Sequence, residues 1–542
     1  MRIGQSRRSA RLVRAKAALH SWRGALRDLG VPNAVPYTVP YAWLRWLGAV
    51  GAVLIGVGGL GAGALPVVSN PWFAFPGGAL MGRILQTSTA VVFVGVGMLV
   101  AAWLLMAPHV GAFGGRAPIS KRSLMRTYLV WIAPIVCTAP MFTQDIYSYF
   151  AQGSILRQGM DPYAAGPVEI LGPDHPLARS VPFIWAHSPS PYGPVALGVN
   201  AAISGLTGDA VLPGVIAHRL LGIAALLAGA WATTRLARRC RVEPVTALWM
   251  GIVNPLAILH LVAGIHNEAL MLGLILVGME LGMRGVDRVT GSRRGAAWAL
   301  LAASGVLLSC AGLVKVTGFV ALGFTGMALA RAWQPRLGHV TSILAAGAVQ
   351  SALLAATTVA ASVASGAGFG WLHSQGGAAQ IRSIYSLTTN VGVAAGWAGM
   401  RLGIGDHTEA MLSVTRGAGV VVAFAFIVRM LWETYAGNIH PVGGLGVASM
   451  VLVVLFPVIQ PWYCLWAILP LAAWIRRRPM RTAVVAISAL FSFVVLPRGL
   501  ALPSETVASI YTSALLALAV LTLVAWAGFR SRARRITLPS HG

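Results

Sequence analysis

Residues 43–66 read WLRWLGAVGAVLIGVGGLGAGALP, with Arg45 as the only charge. A helix of that length covers the roughly 30 Å hydrocarbon core of a bilayer. Comparable apolar runs recur near 87–107, 124–142, 213–234, 245–263, 268–284, 295–313, 316–333, 339–364, 415–433, 442–459, 463–475, 480–497 and 503–528. The spacing predicts an all-α, polytopic membrane bundle of about 14 transmembrane helices. Composition agrees. Of the 542 residues, 57% are hydrophobic and 10% charged, against about 25% charged in soluble domains. So few charges cannot cover a water-facing surface. No gap is large enough for a separate soluble domain, and the longest polar interruption runs from about Gln144 to Pro191.

A net charge of +27 would suit a nucleic-acid binder until it is mapped. The cations sit in short clusters between apolar runs: Arg235, Arg238, Arg239 and Arg241; Arg476, Arg477, Arg478 and Arg481; Arg530, Arg532, Arg534 and Arg535. Clusters beside spans read as topology signals and contacts to anionic lipid, not as a nucleic-acid face. With the N-terminus inside, 32 of the 41 Lys and Arg residues fall on cytoplasmic segments. Eight fall outside (Arg83, Arg157, Arg179, Lys315, Arg382, Arg401, Arg416 and Arg498), and Arg219 lies within a span. This satisfies the positive-inside rule, and both termini are expected in the cytoplasm of a plasma-membrane protein.

One choice carries that count. The segment 192–206, YGPVALGVNAAISGL, is apolar but only about 15 residues long. As a span it would invert every later loop, so it is read as an interfacial or re-entrant helix on the outer side, and 391–405 likewise. Residues 1–40 are expected to be a cytoplasmic basic segment, not a cleavable signal peptide, because the first apolar run starts near Tyr41. Leu12, Ala15, Leu19, Trp22 and Leu26 recur at helical spacing, which fits an amphipathic helix on the inner leaflet; a disordered basic tail fits nearly as well. The catalytic membrane domain is read as 41–528, its outer loop as 143–212, and 529–542 as a basic cytoplasmic tail with no soluble C-terminal domain. Cys137, Cys240, Cys310 and Cys464 show no metal-ligand spacing and no disulfide framework. No internal repeat is evident.

With this topology drawn, the rare polar residues collect on the outer face. Asp145, in MFTQDIYSYF (141–150), directly follows an apolar run, where a lone carboxylate is costly unless paired or used. Helix capping by Thr143 or Asp145 is the plainer reading and is compatible with a function. RQGMDPY (157–163) and SPSPYGP (188–194) belong to a loop of about 48 residues. Loops of that length are usually functional or disordered. Its aromatics Tyr147, Tyr149, Tyr163, Phe183, Trp185 and Tyr192 argue for order, although Tyr and Trp also favour membrane interfaces by themselves. GIHNEALML (264–272) forms a polar hairpin tip, and Lys315 sits at an apolar helix junction, where simple snorkelling would also explain it. Metal binding by His266 and Glu268 is the weaker reading, because no further ligand has helical spacing nearby. Arg382 and Tyr385 lie in the outer segment 371–390, and Gln460, Trp462 and Tyr463 in FPVIQPWYCLW (456–466). Aromatic faces suit sugar rings and cations suit phosphate.

The set QDIYSYFAQG (144–153), GMDPY (159–163), SPYGP (190–194) and GIHNEALM (264–271) resembles the actinobacterial α-(1→6)-mannopyranosyltransferases of the GT-C superfamily, of the MptB type with the MptA type as alternative. The resemblance runs from about residue 125 to 470. It implies a GT-C bundle whose first large outer loop carries the catalytic Asp, here Asp145. It also implies a polyprenyl-phosphomannose donor and a phosphatidylinositol mannoside or lipomannan acceptor. The chain shows Gln144-Asp145 where an Asp-x-Asp pair would stand, which weakens any case for a metal.

The chemistry can also be argued without the resemblance. The chain has no glycine-rich phosphate loop after a strand, so an extracellular sugar transfer must draw on a lipid-linked donor. An inverting displacement needs one base for the acceptor hydroxyl and positive charge on the departing phosphate. Asp145 is expected as the base, and His266, Lys315 and Arg382 as phosphate contacts. Tyr147, Tyr163, Tyr192, Trp462 and Tyr463 are expected at sugar rings or lipid tails. Gln144, Asn267, Glu268 and Gln460 are expected at sugar hydroxyls, and Tyr149, Asp161 and Tyr385 elsewhere in the substrate-binding set. No cofactor and no metal ligand are expected. The rival function is transport or flipping of a lipid-linked glycan. That reading is disfavoured because its polar residues should lie near the midplane of two related halves.

Overall fold

The computed structural model describes residues 39–112, 117–291, 294–374 and 381–537, with side chains described as far as 528 apart from Arg294. The expected amphipathic helix within 1–40 lies outside these residues. All described regular structure is helical, with no strand. The longer helices are α1 (Tyr41–Ala62), α2 (Leu85–Leu105), α3 (Lys121–Ile132), α4 (Asp145–Arg157), α5 (Pro194–Thr207), α6 (Val211–Arg239), α7 (Glu268–Val289) and α8 (Arg294–Val314). They continue as α9 (Val320–Leu337), α10 (His339–Ser365), α11 (Leu387–Arg401), α12 (Thr408–Ala436), α13 (Pro441–Leu455), α14 (Cys464–Ala472), α15 (Arg478–Phe491) and α16 (Ser504–Thr537).

Among the described residues nine helices are long and apolar enough to cross a membrane. The pair Pro244–Met250 and Pro255–Ala263, bent by 50°, makes a tenth if it is one span. The chain is a multi-pass membrane protein. Several expected spans appear as shorter helices, and proline is the recurrent cause. The run 124–142 is helical only to Ile132 before a 3₁₀ turn containing Pro134, which removes a backbone donor. In 245–263, Asn254 adopts extended backbone ahead of Pro255 and starts a new helix by accepting from Leu256 N–H at 2.9 Å. The stretches 192–206 and 391–405 form the short helices α5 and α11. The last helix, α16, runs unbroken past residue 528 to Thr537, so the expected tail begins within it. All four cysteines are free.

Close helix approach depends on small residues. Where α1 crosses α2, a Cβ on Gly51 would lie 2.6 Å from the Gly95 carbonyl oxygen, and one on Gly95 2.5 Å from that of Gly51. Membrane helices use such contacts because lipid supplies no hydrophobic drive between them. By contrast, α12 exposes Val420, Val421, Phe424 and Trp432, and α16 exposes Leu515, Leu516 and Val520. In a bilayer such faces meet lipid rather than water.

The helices α7 and α8 form a hairpin whose open end carries Glu268 and Lys315. Its closed end carries Arg284, Asp287 and Arg288 beside Arg239 at the end of α6. At 1.5 Å per residue the two ends are roughly 30 Å apart. Glu268 and Lys315 therefore sit at the opposite end of the same helices from this arginine cluster.

Candidate active site

Two loops and one buried cation build the site. The first loop, 141–144, leads into α4. The second, 263–267, leads into α7. Met141 N–H donates to the Ala263 carbonyl at 3.1 Å, so the loops run side by side. Arg219, with no exposed surface, projects from α6 between them. Its guanidinium donates to the carbonyls of Val136, Thr138 and Ala139 on one side and of Val262 and Ala263 on the other, at 2.7–3.2 Å. Both loops contain a non-glycine residue in the left-handed region, Phe142 at φ 64° and Ile265 at φ 58°. Such backbone costs about 1–3 kcal/mol per residue and collects at functional sites. Phe142 N–H is held by the Pro497 carbonyl at 2.6 Å, and Asp145 N–H by Thr143 Oγ1 at 3.1 Å.

These constraints bring Asp145, at the start of α4, against His266. Asp145 Oδ2 lies 3.5 Å from His266 Nδ1, a contact longer than a good hydrogen bond. Trp185 Nε1–H donates to Asp145 Oδ1 at 3.0 Å. Burial alone would raise the Asp145 carboxyl. The adjacent His266 imidazole, the Trp185 donor and the charge of Lys315 outweigh it and hold the group below its ordinary value. The carboxylate is therefore ionised at neutral pH.

Beside it, Lys315 Nζ donates to Glu268 Oε1 at 2.6 Å and to the Tyr463 hydroxyl at 3.2 Å. The ammonium lies 4.3 Å from the Tyr463 ring centroid and 5.1 Å from that of Trp466. Trp462 stacks on His266 at 3.9 Å and on His260 at 5.2 Å. His260 lies in a π-helical turn, Ile258–Ala263, a geometry common near functional sites. His266 Nε2 and Asn267 Nδ2 are buried without a hydrogen-bond partner among the described residues. No group of three His, Cys, Asp or Glu residues placed to hold a metal occurs among the described residues.

A family model described as "Alpha-(1->6)-mannopyranosyltransferase, N-terminal domain" matches residues 45–331, and one described as "MptB C-terminal domain" matches 388–523. The chain belongs to the MptA/MptB family of α-(1→6)-mannopyranosyltransferases. Alpha-(1->6)-mannopyranosyltransferase B of Corynebacterium glutamicum is 59% identical over 496 residues, covering 90% of this chain and 82% of the relative. A probable alpha-(1->6)-mannopyranosyltransferase of Mycolicibacterium smegmatis is 40% identical, covering 89% and 87%. Alpha-(1->6)-mannopyranosyltransferase A of Mycobacterium tuberculosis is 32% identical, covering 83% of each. No solved structure matches the chain. Both matched regions of this family contribute to the cluster: Asp145, His266, Glu268 and Lys315 come from the first, Trp462 and Tyr463 from the second. The His266–Trp462 stack and the Lys315–Tyr463 bond join them.

The residues singled out in the sequence divide clearly. Asp145, His266, Asn267, Glu268, Lys315, Trp462 and Tyr463 come together. Gln144 sits at the start of α4 and Gln460 ahead of the 461–463 turn, where their carbonyls accept from Tyr147 and Tyr463 N–H. Tyr192 lies near the cluster, with its ring edge-on to the buried Tyr149 at 5.4 Å. Tyr163 donates its hydroxyl to the Tyr192 carbonyl at 2.9 Å, one step further out. Four residues are committed elsewhere. Tyr147 donates to the Ala64 carbonyl at 2.6 Å and packs with Phe150, on the face of α4 turned to the core. Asp161 accepts from Tyr163 N–H at 2.8 Å, closing a turn. Arg382 is paired with exposed Glu409. Tyr385 is 37% exposed and lies beside Phe491.

Trp185, His260, Trp466 and the buried Arg219 stand outside the sequence-based candidate set. Trp185 was visible only as one more loop aromatic, and His260 lies inside an apolar run. A titratable residue within such a run was the available signal for His260. Arg498 also approaches. Its neighbour Pro497 binds Phe142, and a Cβ on its other neighbour, Gly499, would lie 2.7 Å from Thr143 Cα.

Proposed function

We propose that the chain transfers mannose from polyprenyl-phosphomannose to a growing α-(1→6)-mannan on a phosphatidylinositol mannoside or lipomannan acceptor, on the extracytoplasmic face of the plasma membrane. The names of its relatives support mannosyl transfer. The observation that carries the mechanism is the Asp145–His266 contact at 3.5 Å beside the Lys315–Glu268 pair. It places one ionised carboxylate next to two groups able to bear positive charge.

In this reading Asp145 accepts the proton of the acceptor 6-hydroxyl as that oxygen attacks C1 of the mannosyl donor. The bond from C1 to the phosphate oxygen breaks, and its electron pair leaves with polyprenyl phosphate. Lys315 and His266 stabilise the charge that develops there. A β-linked donor gives an α-linked product by inversion. Asn267, with its unpaired buried amide, contacts a sugar hydroxyl, and Trp462 keeps His266 in plane by stacking. The lipid-linked donor is a substrate, and the steps above use only residues of the chain. Sidedness rests on the positive-inside rule: the arginine cluster at the closed end of α7–α8 faces the cytoplasm, so Asp145 faces out.

The test is release of polyprenyl phosphate from labelled donor in proteoliposomes, with linkage analysis of the product. Asp145→Asn should fold and insert normally while transfer falls at least a hundredfold. Turnover near the parent rate would remove Asp145 from the base role. Transport of intact lipid-linked glycan without release of polyprenyl phosphate would replace the reaction altogether.

A further inference from the structure

At the opposite end from Asp145, α6 and α7 border an open cleft of about 400 Å³ lined by five arginines and two carboxylates. The carboxylates are already engaged. Arg239 binds Glu280 at 3.0 Å and Asp287 at 2.6 Å, and Arg284 binds Glu280 at 2.7 Å. Arg235, Arg238 and Arg288 face the same cleft and form no ion pair among the described residues. Beside the cleft stands Trp231, whose ring lies 5.0 Å from the Arg235 guanidinium and 5.1 Å from that of Arg284. These two arginines are thereby held on an aromatic face, and Arg284 also by its carboxylate.

On the same helix, an exposed apolar stripe leads away from Arg235. Leu220, Leu227 and Trp231 on α6 are 51%, 37% and 37% exposed. Their spacing of seven and four residues puts them on one stripe of the helix. That stripe runs roughly 16 Å along α6 to the arginines. An unpaired guanidinium cluster selects phosphate by its fork of donors. An apolar stripe leading away from it selects an acyl chain over a soluble anion.

We propose that this cleft binds the phosphate of an anionic phospholipid, with one acyl chain along Leu220, Leu227 and Trp231. The site is separate from the transfer chemistry, and its test does not depend on activity. The probe is phosphatidylglycerol, titrated onto the detergent-purified full chain and read by native mass spectrometry, with phosphatidylcholine as the neutral reference. A basic residue near an anionic surface contributes about fivefold to binding. R235Q/R238Q/R288Q should therefore weaken phosphatidylglycerol retention about a hundredfold and leave phosphatidylcholine unchanged. The triple lysine variant R235K/R238K/R288K keeps net charge and orientation but loses the fork. It should bind at least threefold more weakly than the parent. As a control, R476Q/R477Q/R478Q should change retention less than twofold. Equal losses in the control and cleft variants would overturn the proposal. So would parental binding by the lysine variant, or displacement of the lipid by equimolar inorganic phosphate.

Discussion

Removing the Lys315 ammonium tests whether the cluster is held by charge pairing and whether that charge works on the substrate. In Lys315→Met the Glu268 carboxylate, 3% exposed at its side chain, loses the partner that binds it at 2.6 Å. Breaking a buried pair by deleting one member costs about 3–5 kcal/mol, mostly from the stranded charge. The Lys315 side chain retains 20% exposure, so the lower end is expected, about 3 kcal/mol. Converting the second member as well, Lys315→Met with Glu268→Gln, removes the stranded charge and should recover stability to within about 1 kcal/mol of the parent. Activity should not recover. Loss of one group that stabilises developing charge typically costs about 10²–10³ in turnover. Stability is read by denaturant unfolding in mixed micelles, turnover by polyprenyl phosphate release. A double variant as unstable as the single would refute the pairing argument. A stable double variant with near-parental turnover would show that Lys315 does not act on the leaving phosphate.

Trp185→Phe removes one of the donors that depress the Asp145 carboxyl, so that group rises toward its ordinary value. Because the ionised form is lost as pH falls through the folded value, the acid limb of the pH–rate profile should move to higher pH; an unmoved limb would separate Trp185 from Asp145. The same depression stabilises the fold above the ordinary carboxylate range of about 4, and that contribution fades as pH drops below it. Gly153→Val should destabilise by about 1–3 kcal/mol in thermal unfolding, since even its Cβ would sit 2.5 Å from the Asn200 carbonyl oxygen and force α4 off α5. Arg219→Lys keeps the charge but reduces five donors to three. In steady-state kinetics it should lower kcat more than it raises donor KM, because the reacting groups are displaced while the lipid-facing surface is untouched.

Fold class was legible because so few charges cannot solvate a chain of this size, and because the apolar runs have bilayer length. Helix ends inside those runs were less legible. Pro134 and Pro255 break helices without interrupting hydrophobicity, so runs that read as single spans fold into bent or short pieces. Within the site, Asp145, His266 and Lys315 stood out as polar residues at the ends of apolar runs. Their partners did not. Trp185 reaches Asp145 from 40 residues away by way of a proline-rich loop, and nothing local separates it from an interface aromatic. Tyr147 misleads for the opposite reason. It lies two residues after Asp145 on α4, and a helix turns residues at that spacing to different faces. Arg382 is drawn off by Glu409, a pairing between segments that no spacing reveals.

Arg219 is the residue on which this geometry turns. It is a fully buried cation whose hydrogen-bond partners among the described residues are all carbonyl oxygens, an arrangement an apolar side chain could not replace. Without it those oxygens would lose their donors, each at a cost of about 1–3 kcal/mol. Its five bonds join the backbone just before Phe142 to the backbone just before Ile265, the two strained residues. Relaxation of either would swing Asp145 or His266 away from the other. The energy of the clamp therefore offsets strain that the loops would otherwise release. The consequence is electrostatic: a carboxylate and an imidazole are fixed at contact distance before any substrate arrives. In the proposed reaction, little reorganisation would then be left for the moment when charge moves onto the leaving phosphate.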